Sequence, residues 1–246
     1  MTRWVSHRGV DETITENSLL SFKKAVDVGF ECLETDLRVT KDGVIVLSHD
    51  DNLVRVSNQN IRISDSTFDR LCTVSLADGQ KISTFEQFIE NFAGQSWVFD
   101  IKPETALDTI SALYRWAKKR GSMDWLVQQS RFLFWKKHHQ SRFLQLFPKV
   151  ECLARSSECY RAGISSLLAV PFLGGIRKGV TYALPPAFLG QNLFCPEIVE
   201  RYHRQGARVM AFLPANDSEI DAAVSAGFDE VLLDGEIPSH HENRRS

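Results

Sequence analysis

The chain has 246 residues, about the length of one large barrel domain or of two smaller domains. Hydrophobic residues make up 43% of the sequence and charged residues 24%, a composition that is typical of globular proteins and excludes a wholly disordered chain. The 29 basic and 31 acidic residues give a net charge of −2, so no basic excess is available to neutralise a nucleic-acid backbone, and nucleic-acid binding is not expected.

The five cysteines are an odd number without a CxxC pair, which argues against a disulfide framework or a thiolate zinc site and favours a reducing compartment. The sequence reaches the polar Ser6 without an apolar signal segment. The longest uncharged run, 179–196, contains three prolines and is a poor membrane span. We therefore expect a cytoplasmic protein with no integral membrane segment, and the sequence leaves its oligomeric state open.

Short β-rich runs alternate with longer stretches of helical periodicity along the chain. The first strand is predicted over 4–7 and is followed by a helix that Gly29 ends. Alternation with period two predicts a second strand over 32–39, and a glycine turn leads into a short further strand over 44–47. The next stretch, 52–81, is polar and irregular in pattern, which indicates a small excursion from the core.

The same alternation then resumes and continues to the end of the chain. A strand is predicted over 97–101 and a helix over 106–119, and a later helix is predicted to begin at an Asp217 N-cap and to end at Gly227. Further strands are predicted over the apolar runs 125–128, 150–154, 180–184, 207–213 and 230–233. The main strands then number eight, and eight strands with intervening helices predict an α/β protein, a single-domain TIM (β/α)8 barrel over residues 1–246.

Acidic residues stand at the ends of two of these strands, and in a barrel the carboxyl ends of all strands meet at one rim. Glu34 and Asp36 are two residues apart and share one face of an extended strand, as Asp100 and Lys102 do. Three carboxylates from neighbouring strands repel one another unless a cation lies between them. A hard divalent ion with oxygen ligands, Mg²⁺ or Ca²⁺, meets that need.

Two histidines and two cations accompany this acidic group. His7 and His49 follow strands and can exchange protons near neutral pH, and Arg8 and Lys102 supply fixed positive charge. The combination suits phosphodiester hydrolysis, in which charge builds on the phosphoryl oxygens and two protons are transferred. An ordinary ion pair between Lys102 and Asp100 is the alternative for those two residues. The other five histidines are expected at the surface: His138, His139, His203, His240 and His241.

At these residues the sequence resembles the glycerophosphodiester phosphodiesterase family. The resemblance covers roughly the first 102 residues and continues more weakly near the end. It rests on six pieces in matching order and spacing, which are His7-Arg8-Gly9, Glu16-Asn17-Ser18, Glu34-Thr35-Asp36, Thr40-Lys41-Asp42-Gly43, His49-Asp50 and Asp100-Ile101-Lys102. It implies a TIM barrel that hydrolyses small glycerophosphodiesters to an alcohol and sn-glycerol 3-phosphate.

The resemblance also implies roles for single residues. They are an acid/base pair of His7 and His49, metal ligation by Glu34, Asp36 and Asp100, and phosphate contacts from Arg8 and Lys102. In the family mechanism a neighbouring hydroxyl of the substrate attacks phosphorus, and water then opens the resulting cyclic phosphate. Which histidine acts as acid and which as base stays open at this point.

Three departures from the family pattern bear mainly on substrate choice. Asp100 stands where the family usually has glutamate, so direct and water-mediated ligation of the ion both stay open. After the fourth strand the family's Ser-Phe is replaced by 128–132, to which no role is assigned. The family's aromatic-Thr-Val-Asn after strand seven is replaced by 211–216, where Phe212 is expected to supply an aromatic wall for the glycerol carbons.

Two alternatives keep part of this interpretation. A lysophospholipid or another phosphodiester would be the substrate if the apolar segment 164–176 meets a lipid tail. A barrel that binds a phosphorylated ligand without turnover is the other alternative, motivated by Asp100 and the altered end of strand seven. Two histidines exceed what binding alone requires, which disfavours the second alternative.

Overall fold

The computed structural model describes residues 2–10 and 13–242. It divides into two compact units, one comprising Ser6–Glu151 and the other comprising Met1–Val5 with Cys152–Ser246. As far as Cys152 the elements are β1 (Arg3–His7), α1 (Leu19–Asp27), β2 (Cys32–Val39), β3 (Ile45–Leu47), α2 (Val54–Ser57), α3 (Phe68–Cys72), α4 (Phe85–Asn91), β4 (Ser96–Ile101), α5 (Ala106–Arg120), α6 (Met123–Gln129), β5 (Ser130–Phe134), α7 (Lys137–Leu146) and β6 (Glu151–Cys152).

The remaining elements belong to the second unit. They are α8 (Ser156–Leu167), a 3-10 turn (Pro171–Leu173), β7 (Thr181–Leu184), β8 (Ala187–Phe188), β9 (Gln191–Asn192), α9 (Pro196–His203), β10 (Arg208–Phe212), α10 (Asp217–Ala226), β11 (Glu230–Leu233) and α11 (Ser239–Glu242). Within this unit β10 pairs in parallel with both β7 and β11. The helices between these strands supply the crossovers that parallel pairing requires.

The first unit is built on parallel pairing of β2 with β4 and of β4 with β5. The register places Asp36 opposite Asp100, and β3 returns antiparallel along the end of β2. Every residue of β2 is buried, which is usual for a parallel strand covered on both faces, but such strands are normally apolar. The charged residues Glu34, Asp36 and Arg38 on β2 are therefore costly to bury and need compensating partners.

Aromatic side chains fill the core of the first unit. Phe88 meets Phe22 edge-on at a ring separation of 4.8 Å, and Phe85 meets Phe99 in the same way at 5.3 Å. Such edge-to-face pairs add to the stabilisation from burial, because each ring's positive edge meets the negative face of the other. The core formed in this way holds β4, and with it Asp100, in a fixed position.

The excursion after the second strand is confirmed, and it carries a small apolar cluster. Val46 of β3 packs with Leu53, Ile63, Leu71 and Val74, all of them buried, and the helices α2 and α3 lie within this stretch. The spacing of these residues follows no single period, since they come from turns and very short helices. For that reason the sequence pattern looks irregular although the segment has a core of its own.

Two local predictions are wrong. The apolar run predicted as a strand over 125–128 lies in helix α6, and the strand is β5, Ser130–Phe134. A short apolar run cannot be told from a buried helix by periodicity, and Trp125 packs edge-on against Trp97 in that helix at 4.9 Å. The N-cap of α10 is Asn216 rather than Asp217, whereas Gly227 ends the helix in the left-handed conformation as predicted.

Two of the five histidines predicted at the surface, His139 and His241, are buried instead. The ring centroids of His241 and Trp4 are 5.4 Å apart. Asp221 Oδ1 lies 2.7 Å from Nε2 of His241 and 2.8 Å from Nε2 of His240. These contacts join α11 to α10 and hold Asp221, His240 and His241 together. Local polarity does not reveal the burial of His241, because its partner Trp4 lies near the other end of the chain.

Among the described residues, no helix combines the length and the apolar character needed to cross a bilayer.

Candidate active site

The loop after β1 is pressed onto the first turn of α1. Gly9 has φ +93°, and a Cβ placed there would come within 2.8 Å of the Ser21 carbonyl carbon, so this position excludes any side chain. Ser21 Oγ donates to the Arg8 carbonyl at 3.2 Å, and Val10 N–H donates to the Ser21 carbonyl at 3.2 Å. Ser18 caps α1 and exchanges side-chain hydrogen bonds with Ser21. The position of Arg8 therefore depends on the start of a helix.

Asn17 orients the acidic side chain of β2. Its Nδ2 donates to Asp36 Oδ2 at 2.9 Å, while its Oδ1 accepts from Thr35 Oγ1 at 2.7 Å. The Asp36 carboxylate settles which end of the amide faces it, because a carboxylate only accepts and only the amide nitrogen can donate to it. Asn17 itself adopts φ +55°, a left-handed conformation that asparagine tolerates better than most residues.

Three carboxylates converge, two from β2 and one from near the end of β4. One oxygen each of Glu34, Asp36 and Asp100 lies within 4.8 Å of the others, and the three residues are only 7%, 1% and 4% exposed. Lys102 Nζ lies 2.7 Å from Asp36 Oδ1 and 2.6 Å from Asp100 Oδ2. The ammonium group of Lys102 therefore bridges two of the three carboxylates. The three acidic residues lie close together, as the sequence predicts.

Arg8 and His7 approach the same cluster from β1. Arg8 Nε lies 3.0 Å from Asp36 Oδ2, an ion pair by distance, but its N–H direction does not meet the geometry of a hydrogen bond. We regard the contact as electrostatic, because attraction between charges depends on distance far more than on angle. His7 Nε2 lies 4.0 Å from Glu34 Oε2. The predicted residues of the first three motifs are thus brought together.

His49 is held through its backbone and through its neighbour. Ser48 N–H donates to the Asp36 carbonyl at 3.1 Å, and Arg38 donates from Nε and Nη2 to the His49 carbonyl at 3.0 and 2.6 Å. The imidazole Nδ1 lies 2.8 Å from Asp50 Oδ1. A carboxylate can only accept, so an ionised Asp50 places the ring proton on Nδ1 and leaves Nε2 able to take a proton.

Asp50 is kept ionised by its surroundings. Partial burial alone would raise the pKa of Asp50, but hydrogen bonds from Arg55 and His49 outweigh it and lower the pKa. Arg55 Nε donates to Asp50 Oδ2 at 2.7 Å, and its two terminal nitrogens donate to Glu16 at 2.9 and 2.7 Å. Glu16 and Asp50 therefore share one guanidinium, which ties the loop after β1 to the loop after β3.

Burial and mutual charge shift the pKa values of Glu34, Asp36, Asp100 and Lys102. Burial raises the pKa of Glu34 well above its usual range, and repulsion from Asp36 and Asp100 adds to the effect. Burial alone would also raise the pKa of Asp36. The positive charges of Lys102 and Arg8 outweigh burial and bring the pKa of Asp36 below its usual value. Burial also raises the pKa of Asp100, against the influence of Lys102. Burial alone would lower the pKa of Lys102. The negative charges of Asp100 and Asp36 outweigh burial, so the pKa of Lys102 is raised.

The cluster fits a hard divalent cation. Three carboxylates face two neighbouring cations, Arg8 and Lys102, so one negative charge is left without compensation when all three are ionised. That charge falls on Glu34, whose buried Oε2 has no hydrogen-bond partner among the described residues. An all-oxygen donor set with excess negative charge is the environment that Mg²⁺ and Ca²⁺ occupy in proteins.

Two residues that contribute to the site were missed by the sequence analysis. Arg38 lies on the same alternation of β2 that singled out Glu34 and Asp36, so the signal was present and was not used. Trp135 follows the last residue of β5, and its Nε1 donates to Asp100 Oδ1 at 2.8 Å. The sequence pattern does not single it out, because a strand predicted over 125–128 does not place Trp135 at a strand end.

The acidity of Glu34 gives a testable pH dependence. The pKa of Glu34 is higher in the folded protein than in the unfolded chain, so the folded state favours the protonated carboxyl. The free energy of unfolding therefore decreases as the pH rises above the usual pKa of glutamate towards the pKa in the folded protein. In EDTA, we expect Glu34→Gln to become steadily more stable than the wild type as the pH is raised. Thermal melting at a series of pH values measures this difference. Glu200→Gln, which removes an exposed carboxyl, is the control, and parallel wild-type and Glu34→Gln profiles would contradict the expectation.

Comparison with known proteins places this site in a family context. A model described as the glycerophosphoryl diester phosphodiesterase family matches residues 7–235. A glycerophosphodiester phosphodiesterase of Caldanaerobacter subterraneus is 21% identical over 239 residues, which are 94% of this chain and 93% of that protein. The human lysophospholipase D GDPD1 is 42% identical over 65 residues, which are 26% of this chain and 21% of that protein.

Solved structures resemble the whole chain. A glycerophosphoryl diester phosphodiesterase domain from Mycobacterium tuberculosis has a TM-score of 0.81 at 17% identity and covers 98% of both chains. A phosphodiesterase of Oleispira antarctica, in complex with the product sn-glycerol-3-phosphate, has a TM-score of 0.73 at 20% identity and covers 98% of this chain and 96% of its own. This likeness confirms the predicted TIM (β/α)8 barrel.

Proposed function

The chain belongs to the glycerophosphoryl diester phosphodiesterase family and is a phosphodiesterase that hydrolyses glycerophosphodiesters, and we propose that it does so with a divalent metal ion and an acid/base pair of histidines. The observation that carries the proposal is the cluster of three buried carboxylates beside His7 and two cations. The match over residues 7–235 supports assigning residues 1–246 to one catalytic domain of this type. We propose a small-molecule glycerophosphodiester as substrate and the cytoplasm as location.

Glu34, Asp36 and Asp100 are the groups that would hold the ion, either Mg²⁺ or Ca²⁺. When bound, such an ion supplies positive charge to the phosphoryl oxygens of the substrate. Asp100 Oδ1 already accepts a hydrogen bond from Trp135, and Asp100 Oδ2 forms an ion pair with Lys102. Both oxygens of Asp100 thus have a partner, as both oxygens of Asp36 do, whereas Glu34 Oε2 has no hydrogen-bond partner in the described part of the chain.

Arg8 and Lys102 are the proposed phosphate contacts. Both lie against Asp36, and neither can lose its charge at neutral pH, since the pKa of Lys102 is raised and a guanidinium stays protonated. Fixed cations at this position attract an anionic phosphodiester and stabilise the additional charge that develops on its oxygens during displacement. Phe212 at the end of β10 is half-exposed, and its contact with the glycerol carbons remains a proposal.

His7 and His49 are the proposed acid/base pair. A hydroxyl of the glycerol attacks phosphorus as one histidine accepts its proton, and the bond from phosphorus to the alcohol oxygen breaks as the other donates a proton to it. Water then opens the cyclic phosphate with the two roles exchanged, which yields sn-glycerol 3-phosphate. Asp50 orients the imidazole of His49 through the contact at Nδ1, as a carboxylate does in other acid/base dyads.

Removal of metal tests the proposal directly. Hydrolysis of glycerophosphoethanolamine, coupled to detection of glycerol 3-phosphate, is expected to fall at least about 100-fold in EDTA, since a bound ion supplies several kcal/mol of charge stabilisation. Excess Mg²⁺ or Ca²⁺ should restore the rate, and the better ion identifies the cofactor. Full activity in EDTA that also survives His7→Ala would remove both the metal and the acid/base pair from the mechanism.

A lysophospholipid is the second candidate substrate. The observation that favours it is the exposure of Leu168, Phe172 and Leu173 within the apolar segment 164–176. Comparing kcat/KM for lysophosphatidylethanolamine and glycerophosphoethanolamine separates the two, because an enzyme that binds the acyl chain prefers the first by the free energy of burying that chain.

A further inference from the structure

Large apolar side chains are exposed in unusual number on one part of the second unit. Of the eleven exposed large apolar residues in the described part of the chain, six lie between residues 152 and 196. We call them the apolar surface: Tyr160, Ile164, Leu168, Phe172, Leu173 and Leu189. Phe172 and Leu173 are 70% and 67% exposed. Single exposed apolar residues are ordinary, whereas a group of them marks a binding surface.

The chain packing brings these residues together. The 3-10 turn folds back on α8, since Val170 N–H donates to the Ser165 carbonyl at 2.9 Å and a Cβ at Gly174 would lie 3.1 Å from Ala162 Cα. Phe172 and Leu173 are therefore presented on a turn that is held firmly against the helix. The ring of Tyr160 on α8 meets Phe188 at 5.7 Å, which joins the hairpin of β8 and β9 to the same surface.

Residues 152–196, the segment that carries the apolar surface, have more basic than acidic residues. Residues 152–196 contain four basic residues and one acidic residue, a net charge of +3 in a chain whose total is −2. The acidic residue, Glu158, is neutralised by Arg155 and Arg177, each at 3.0 Å. Arg161 Nε donates to the Gly174 carbonyl at 2.8 Å, so its guanidinium lies beside the exposed turn. Lys178 is exposed on the segment that follows the turn.

We propose that the apolar surface docks on an anionic phospholipid membrane. Phe172 and Leu173 enter the boundary between headgroups and acyl chains, and Arg161 and Lys178 meet lipid phosphates. Exposed aromatic and aliphatic side chains with a basic border are the features by which proteins bind to membrane surfaces without crossing them. A second copy of the chain is a poorer partner, because it would bring the same positive charge against the same surface. The inference does not depend on the catalytic roles proposed above.

Vesicle co-sedimentation tests the proposal without measuring catalysis. The wild type is expected to pellet with vesicles of phosphatidylcholine containing about 30% phosphatidylglycerol, and to stay in solution with phosphatidylcholine alone. Phe172→Ser with Leu173→Ser should lower the partition coefficient at least about tenfold, because burying a side chain of this size contributes more than 1.4 kcal/mol. Lys178→Ala should lower it about fivefold, the factor that corresponds to roughly 1 kcal/mol for each basic residue at the surface.

Matched variants outside the apolar surface serve as controls. Leu107→Ser on α5 and Lys149→Ala remove an exposed leucine and an exposed lysine, and both should bind vesicles as the wild type does. Unchanged hydrolysis of a water-soluble glycerophosphodiester shows that each variant is folded. Failure of the wild type to pellet at low ionic strength, or equal binding by the Phe172 and Leu107 variants, overturns the proposal. So does a dimer in sedimentation velocity that the Phe172 variant loses, which would make the surface an interface between copies.

Discussion

Replacing His49 with alanine is expected to lower kcat for glycerophosphodiester hydrolysis by about 10²- to 10⁴-fold, the usual contribution of a positioned acid or base. The free energy of unfolding should change little, since the imidazole is partly exposed and its one described partner, Asp50, is also held by Arg55. His7→Ala is expected to have an effect on kcat of the same size. Steady-state kinetics with saturating metal, together with urea unfolding of each variant, measure both quantities.

Two further variants sharpen this test. His138→Ala removes an exposed histidine of α7 and should leave kcat unchanged. Asp50→Asn keeps the size of the side chain but removes the charge that holds the proton on Nδ1 of His49, so kcat should fall while KM changes little. If His49→Ala and His138→Ala retain equal activity, His49 has no part in proton transfer.

Replacing Lys102 with methionine is expected to cost about 3–5 kcal/mol of unfolding free energy in the absence of metal. Lys102 is 4% exposed and bridges Asp36 and Asp100, so its removal leaves two buried carboxylates that repel each other without a cation between them. Urea unfolding in EDTA measures the loss. Lys149→Met, which removes an exposed lysine, should stay within about 0.5 kcal/mol of the wild type.

The origin of this loss can be tested by removing the repulsion. Adding Asp100→Asn to Lys102→Met should recover part of the stability, because one of the uncompensated charges is gone, whereas the same change alone should destabilise the wild type less than Lys102→Met does. Excess divalent ion should also recover stability if the acidic cluster binds it. A Lys102→Met protein as stable as the wild type would show that these carboxylates are protonated or solvated.

Much of the architecture followed from local patterns. The bounds of β2 and β11 were predicted to the residue, because period-two alternation and short apolar runs between turn residues depend only on neighbours along the chain. The assignment of 125–128 to a strand is wrong because the packing of the Trp125 ring against Trp97 is not visible locally. That error then hid Trp135, which donates to Asp100 from the end of the true strand.

The sequence by itself determined the fold class and the candidate groups, since side chains two residues apart on a strand share a face whatever surrounds them. Only the tertiary structure decided how their charges are balanced. The parallel register of β2 and β4 sets Asp36 opposite Asp100, so that Lys102 reaches both. Glu34 Oε2, in contrast, has no hydrogen-bond partner within residues 2–10 and 13–242. Acidity in a buried cluster depends on distances between strands far apart in the chain, and these distances arise only on folding.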